Sequence, residues 1–259
     1  MKKDKKYKEM EKKAEKPVIL FSFDGTVMDT EPAVISTYRH VLAEYDPKKA
    51  MSPDQILPYL DKPVAEAMQT ILPDEDQDKL LDEYNNWQMN HLINLIQPMP
   101  GIEDLLIWLK KKQYKIGLVS TRTRDSVVEL LKNAQLIQYF DTIIGSKKIN
   151  SSHVHLDAIL EACHLLTAER CIFIGSSPAD LDAAIRAGAY TIGYAAHTER
   201  SRQIIEMNPD FVTADFKEIR KLLSGEALWL AYELYDPEHP AENKKKKKNK
   251  KNPLKSHYL

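Results

Sequence analysis

Short apolar runs alternate with stretches of helical periodicity beyond residue 100, and this alternation constrains the fold more than any other feature of the chain. Apolar runs of about five residues suit buried strands, while apolar residues that recur every three or four positions suit amphipathic helices. Such alternation is typical of βαβ units, and it predicts an α/β fold with a parallel sheet covered by helices on both faces. We expect strands at 17–23, 115–119, 142–144, 171–174 and 190–194, an edge strand at 211–212, and helices at 102–112, 124–133, 155–165 and 179–187.

The segment 31–98 has a different pattern. Apolar residues recur at helical spacing in 33–45, 63–72 and 79–96, and prolines at positions 47, 53, 58 and 73 separate these stretches. Since proline breaks or begins helices, the pattern predicts about four helices. We therefore expect a core formed by 17–30 and 99–225, with an all-helical domain, 31–98, inserted into it.

The two ends of the chain are basic, whereas the part between them is acidic. Residues 1–16 carry eight lysines and four acidic residues, and 244–259 carry eight lysines and no acidic residue. We interpret 1–16 as a basic extension, 226–239 as a C-terminal helix and 240–259 as a disordered tail. Lysine runs are most often solvated, but they leave open binding to nucleic acid or to an anionic surface.

Composition argues against several other classes of protein. No apolar run approaches the roughly 18 residues that a membrane span needs. Two cysteines cannot form a disulfide framework. The lysine-rich start lacks the apolar segment and cleavage site of a signal peptide. We therefore expect a soluble cytoplasmic protein that is not an integral membrane protein.

The carboxyl ends of the predicted strands indicate where a ligand would bind, because ligands of parallel α/β sheets lie at that edge. The polar segments at these ends are 22–26, 120–121, 146–153 and 175–180.

Several motifs around these ends resemble the haloacid dehalogenase (HAD) superfamily, and within it the phosphoglycolate phosphatase and β-phosphoglucomutase-like group. The motifs are Phe23-Asp-Gly-Thr26, Asp29-Thr-Glu-Pro32, Met99-Pro-Gly-Ile-Glu-Asp-Leu-Leu106 and Asp180-Leu-Asp-Ala-Ala-Ile-Arg-Ala-Gly188. The resemblance covers roughly 17–225. It implies a Rossmann-like core, with 31–98 as a helical cap domain.

The resemblance also implies roles for particular positions. In the family, an Asp at the first strand end attacks the phosphoryl group, and a second Asp, two residues on, protonates the leaving oxygen. Mg²⁺ binds carboxylates and the backbone carbonyl of that second Asp. A Ser or Thr at the second strand end and a Lys at the third hold the phosphate. Here the acid/base position is Asp24, and the phosphate-binding positions are Gly25, Thr26, Ser120 and Thr121.

Three of the family's catalytic side chains are replaced in this chain. The nucleophile position is Ser22, and the leading Asp of the fourth motif is Ser176, although Asp180 remains. The lysine position falls on His153, or on Ser152 if the register shifts by one. Because Mg²⁺ prefers charged oxygen ligands, these changes disfavour the Mg²⁺ that the family would imply.

These replacements lead to three hypotheses for function. The first is a catalytically impaired phosphatase-like protein that still binds a small phosphorylated molecule. The second is an active phosphomonoester hydrolase with an altered mechanism, in which Asp24 activates water. The third is an interaction protein that binds nucleic acid or anionic surfaces through its basic ends.

Each motif residue also has a purely structural interpretation. Asp24 is compatible with a simple turn, and Ser120-Thr121 with a helix N-cap. His153 and His155 are compatible with ordinary loop histidines. Asp180 is typical of the first turn of a helix, where a negative charge is favourable.

Overall fold

The first predicted strand forms the centre of the sheet. In the computed structural model, which describes residues 16–60, 62, 64–146, 154–166, 170–196 and 198–224, strand β1 spans Val18–Ser22 and all its residues are buried. Val18 and Leu20 pack on one face of the sheet, and Ile19 and Phe21 pack on the other. A continuous apolar run suits this position because helices cover both faces of the strand.

Five further strands lie parallel to β1, in the spatial order β5-β4-β1-β6-β7-β8. The predicted α/β class is confirmed. These strands are β4 (Ile116–Thr123), β5 (Thr142–Ser146), β6 (Cys171–Gly175), β7 (Tyr190–Tyr194) and β8 (Phe211–Thr213).

Helices cover both faces of this sheet, as the alternating pattern predicts. Helices α5 (Ile102–Lys111), α6 (Arg124–Asn133) and α10 (Phe216–Ser224) contribute to the core on the face of Ile19 and Phe21. Helices α7 (Val154–Leu165) and α8 (Pro178–Arg186) contribute to the core on the opposite face. Helix α9 spans Thr198–Glu206.

The inserted segment forms a separate helical unit with its own apolar core. It contains α1 (Glu31–Tyr45), α2 (Pro53–Ile56), α3 (Val64–Ile71) and α4 (Gln77–His91). Tyr38, Leu42, Met68 and Leu80 are among its fully buried residues. A short antiparallel ribbon of β2 (Met28–Asp29) and β3 (Gln97–Pro98) lies where the chain leaves and re-enters the core. We call this helical unit the cap.

Some predicted element boundaries are wrong. The pattern predicts one helix over 79–96, but α4 ends at His91, and a short 3₁₀ turn at Ile93–Leu95 precedes buried Ile96. Apolar spacing continues beyond the helix because Leu92 and Ile93 pack against the core, as Ile96 does. Strand β4 extends to Thr123 rather than ending at 119.

Other predictions lie outside the described residues. These are the extension 1–16 except for Lys16, the helix 226–239 and the tail 240–259. None of the helices that the structure describes combines the length and apolarity needed to cross a bilayer.

Candidate functional site

A tight turn follows β1 and places Asp24 at the end of the sheet. Gly25 has φ of 68°, a left-handed conformation that glycine adopts without steric cost. Its N–H group donates to the Met28 carbonyl at 2.8 Å, and the Met28 N–H group donates to the Phe23 carbonyl at 3.0 Å. The Gly25 N–H group is therefore used within the turn itself.

Ser22, the predicted nucleophile position, is buried and hydrogen-bonded to the same turn. Its hydroxyl lies 2.7 Å from the hydroxyl of Thr26, which is fully buried. A serine hydroxyl has a pKa far above neutrality, so it needs a neighbouring base to act as a nucleophile. Thr26 is not a base, and this hydrogen bond stabilises Ser22 as a structural residue.

The end of β4 contributes Ser120, Thr121 and Arg122. The register between β4 and β5 shifts between Val119 and Thr123, which interrupts the regular ladder at this point. The backbone N–H group of Arg122 donates to the Ser120 hydroxyl oxygen at 3.1 Å. The guanidinium Nε of Arg122 donates to Oδ1 of Asp24 at 2.8 Å.

Arg122 also joins the core to the cap. Its Nη1 atom donates to the side-chain oxygen of Gln88 on α4, and the Gln88 amide donates to the Thr37 hydroxyl on α1 at 3.3 Å. Burial by itself would lower the pKa of Arg122, but the nearby Asp24 carboxylate and Tyr84 raise it above its ordinary value. Arg122 is therefore a permanently charged, largely buried group, and its side chain is only 14% exposed.

The end of β6 places Ser176 against the first turn. The Ser176 hydroxyl donates to the backbone carbonyl oxygen of Asp24 at 3.0 Å. Ser177 caps α8 by accepting from the Asp180 N–H group at 3.1 Å, and Asp180 is buried. A Cβ atom on Gly175 would lie 3.0 Å from the Asp180 Cβ atom, so only glycine leaves room for this close approach.

These strand ends meet the cap at a cavity of about 220 Å³. Of the predicted site residues, Ser22, Asp24, Gly25, Ser120, Thr121 and Asp180 line it. The cap contributes mainly apolar and aromatic side chains, namely Val34, Tyr38, Tyr59, Leu60, Val64 and Tyr84. Thr26 and Ser176 are buried and do not line the cavity. Their hydroxyls are hydrogen-bonded to Ser22 and to the backbone carbonyl of Asp24. His153 and Ser152, the two alternatives for the lysine position, lie outside the described residues.

The described residues do not fit a Mg²⁺ ion at this site. Ser22 and Ser176, where the resemblance predicts carboxylate positions, are uncharged, and the hydroxyl of Ser176 already donates to the carbonyl oxygen of Asp24. The carboxylate of Asp24, which the resemblance assigns to acid/base chemistry, is paired with Arg122. Nowhere in the described part of the chain do three or more His, Cys, Asp or Glu side chains form a metal-binding group. A hard cation with few charged ligands would bind poorly here.

Arg122 and Gln88 are the site residues that the sequence interpretation missed. Arg122 directly follows Ser120-Thr121, so a charged residue at a strand end was an available signal. Gln88 carried no signal, because a glutamine on a helix is usually solvated.

A parallel α/β core with an Asp-Gly-Thr turn at its first strand end, beneath an inserted helical cap, defines the class of HAD-fold proteins. The family model of haloacid dehalogenase-like hydrolases matches residues 19–194. The chain belongs to this family, which confirms the resemblance.

Individual proteins are similar over most of the chain. The pyrophosphatase PpaX of Listeria monocytogenes serotype 4a is 27% identical over 210 residues, which cover 80% of this chain and 96% of that protein. A haloacid dehalogenase-like family hydrolase from Streptococcus pneumoniae has 22% identity and a TM-score of 0.70, covering 79% of this chain and 97% of its own. A Thermotoga maritima structure assigned as a β-phosphoglucomutase has 20% identity and a TM-score of 0.65, covering 81% and 99%. These structures share the fold.

Proposed function

We propose that this protein is a catalytically impaired member of the HAD phosphatases that binds a small phosphorylated molecule without Mg²⁺-dependent hydrolysis. One observation carries the proposal. The groups that occupy the nucleophile, metal-ligand and acid/base positions are hydrogen-bonded to one another or to Arg122, in the pairs Ser22–Thr26, Ser176–Asp24 and Arg122–Asp24.

The size of the expected defect follows from the residues that are replaced. Removing the nucleophile from an enzyme with a covalent mechanism lowers kcat by about 10⁴- to 10⁶-fold. Among the described residues, the hydroxyl of Ser22 is hydrogen-bonded to Thr26, which is not a base, and the carboxylate of Asp24 is paired with Arg122. The loss of charged metal ligands at Ser22 and Ser176 adds to this defect, because Mg²⁺ would no longer neutralise the phosphoryl oxygens.

The lining of the cavity supports binding of an anion. The N-terminal ends of α6 and α8, including the capping residue Ser177, contribute Ser126, Ser177 and Ala179 to the wall, and helix N-termini favour negative charge. The hydroxyls of Ser120 and Thr121 lie at the same edge. The cavity is smaller than the roughly 300 to 1,000 Å³ of drug-sized ligand sites, which favours a small molecule.

The experiment compares hydrolysis of p-nitrophenyl phosphate, with and without Mg²⁺, by the wild type and by a revertant. The wild type should show no Mg²⁺-dependent turnover. The variant that combines Ser22→Asp, Ser176→Asp and His153→Lys should recover some, with Ser152→Lys as the alternative third change. Ser224→Asp, an exposed serine outside the cavity, is the control for an added carboxylate. Robust Mg²⁺-dependent turnover by the wild type that Ser22→Ala abolishes would overturn the proposal.

One observation favours the altered-mechanism hydrolase as a second candidate. The Asp24 side chain is 38% exposed and lines the cavity, and Arg122 bonds only its Oδ1 atom. A carboxylate in this position can accept a proton from an attacking water molecule. Metal-independent hydrolysis that Asp24→Asn abolishes would support this candidate. The hypothesis of nucleic-acid or surface binding depends on the basic ends and stays a prediction.

A further inference from the structure

Arg122 is the less exposed of the two cationic side chains among the described residues that line the cavity. The other cationic side chain in the lining, Lys62, is 43% exposed and lies 3.9 Å from Glu66. Water screens an exposed charge of this kind, whereas a charge that is 14% exposed acts strongly on its neighbours.

The guanidinium of Arg122 has hydrogen-bond donors to spare. It carries five N–H groups, and two hydrogen bonds, to Asp24 and Gln88, leave three with no acceptor among the described residues. The centre of the Phe23 ring lies 5.9 Å from the guanidinium carbon, within the range of a cation–π contact. A planar group with several parallel donors matches the oxygens of a phosphate better than a lysine does.

Ser120 lies beside this group and can donate to the same anion. Its oxygen accepts from the backbone N–H group of Arg122, so its own hydroxyl hydrogen is not used in that bond. The end of β4 therefore brings a charged donor and a neutral donor to one side of the cavity.

We infer that Arg122 binds the phosphoryl group of the ligand directly and supplies the positive charge that the family takes from its lysine. This inference rests on the proposed function. The phosphate uses the spare donors, but the carboxylate of Asp24 opposes its binding, because it repels the phosphate and partly neutralises the charge of the guanidinium. Arg122 therefore promotes phosphate binding, and Asp24 weakens it.

The test is calorimetric titration of the full-length protein with inorganic phosphate and with glycerol 2-phosphate, in EDTA and at constant ionic strength. Arg122→Gln should weaken binding about tenfold to a hundredfold, the usual size for a charge-assisted hydrogen bond. Arg122→Lys should retain part of the affinity. Asp24→Asn should tighten binding severalfold. The two substitutions would then change the affinity in opposite directions, which a merely structural role of the pair would not produce.

The controls separate binding from folding. Arg124→Gln removes an exposed positive charge two residues away, outside the cavity lining, and should leave binding unchanged. Thermal unfolding shows whether Arg122→Gln is folded. If it is not, the double variant Asp24→Asn/Arg122→Gln removes both charges, leaves no unpaired carboxylate, and should bind as weakly as expected for Arg122→Gln.

The outcomes distinguish this inference from the proposed function. If the wild type binds neither phosphate nor glycerol 2-phosphate, both are overturned. If the wild type binds and folded Arg122→Gln binds equally well, the inference is wrong and the proposed function stands. Weaker binding by both Arg122→Gln and Asp24→Asn also overturns the inference, since the pair then acts only as a structural unit.

Discussion

Replacing Gln88 with methionine tests the hydrogen-bonded connection between the core and the cap. Gln88 is 1% exposed and accepts from the Nη1 atom of Arg122. A methionine of similar shape would leave that charged donor without its acceptor, at a cost of about 1.5 to 3 kcal/mol. Thr37 would lose little, because its hydroxyl still donates to the Ala33 carbonyl at 2.7 Å. We therefore expect Gln88→Met to lower the free energy of unfolding by about 2 kcal/mol.

Thermal unfolding followed by circular dichroism measures this effect. A loss of about 2 kcal/mol corresponds to a decrease in Tm of about 4 to 8 °C for a domain of this size. In an Arg122→Met background the same change should cost only about 1 kcal/mol, because the charged donor is already gone and only the neutral hydrogen bond of Gln88 with Tyr84 is lost. Gln69→Met, at an exposed position on α3, is the matched control. Equal costs in the two backgrounds, or a Tm within 1 °C of wild type, would refute the reasoning.

Two further predictions concern stability away from this connection. Gly145→Ala should destabilise the protein by about 3 kcal/mol or more, because the added Cβ would lie 2.4 Å from the backbone nitrogen of Arg124 on α6. Gly101→Ala should cost only about 1 kcal/mol for its positive φ, because the nearest atom to its Cβ, on Phe216, would lie 3.9 Å away. Chemical denaturation would measure both. The pKa of Tyr194 is raised to about 12, mainly by burial and to a lesser extent by the Asp215 carboxylate. The folded protein therefore retains a proton that the unfolded chain releases near pH 10. Stability should therefore fall as pH rises from about 10 to 12, and Tyr194→Phe should reduce that fall in denaturant titrations at each pH.

The order of elements along the chain followed from local patterns. The apolar run of β1 and the helical spacing of α5 each reflect the burial of a single segment, and such burial leaves a signal in neighbouring residues. The family resemblance also depended on short contiguous motifs. Boundaries were less reliable, as α4 shows, because apolar residues after His91 pack against the core without being helical.

The state of the candidate site depended on contacts between distant parts of the chain. The sequence by itself determined the residue types at the strand ends, and the resemblance predicted that Ser22 and Ser176 stand at carboxylate positions and Asp24 at the acid/base position. Only the tertiary structure decided what these residues contact, with Ser176 on the carbonyl of Asp24 and Arg122 on its carboxylate. These partners are 152 and 98 positions apart, and no local spacing predicts such a pair. The physical reason is that a parallel sheet brings the ends of separate strands to one edge, where side chains satisfy one another across the fold rather than along the chain.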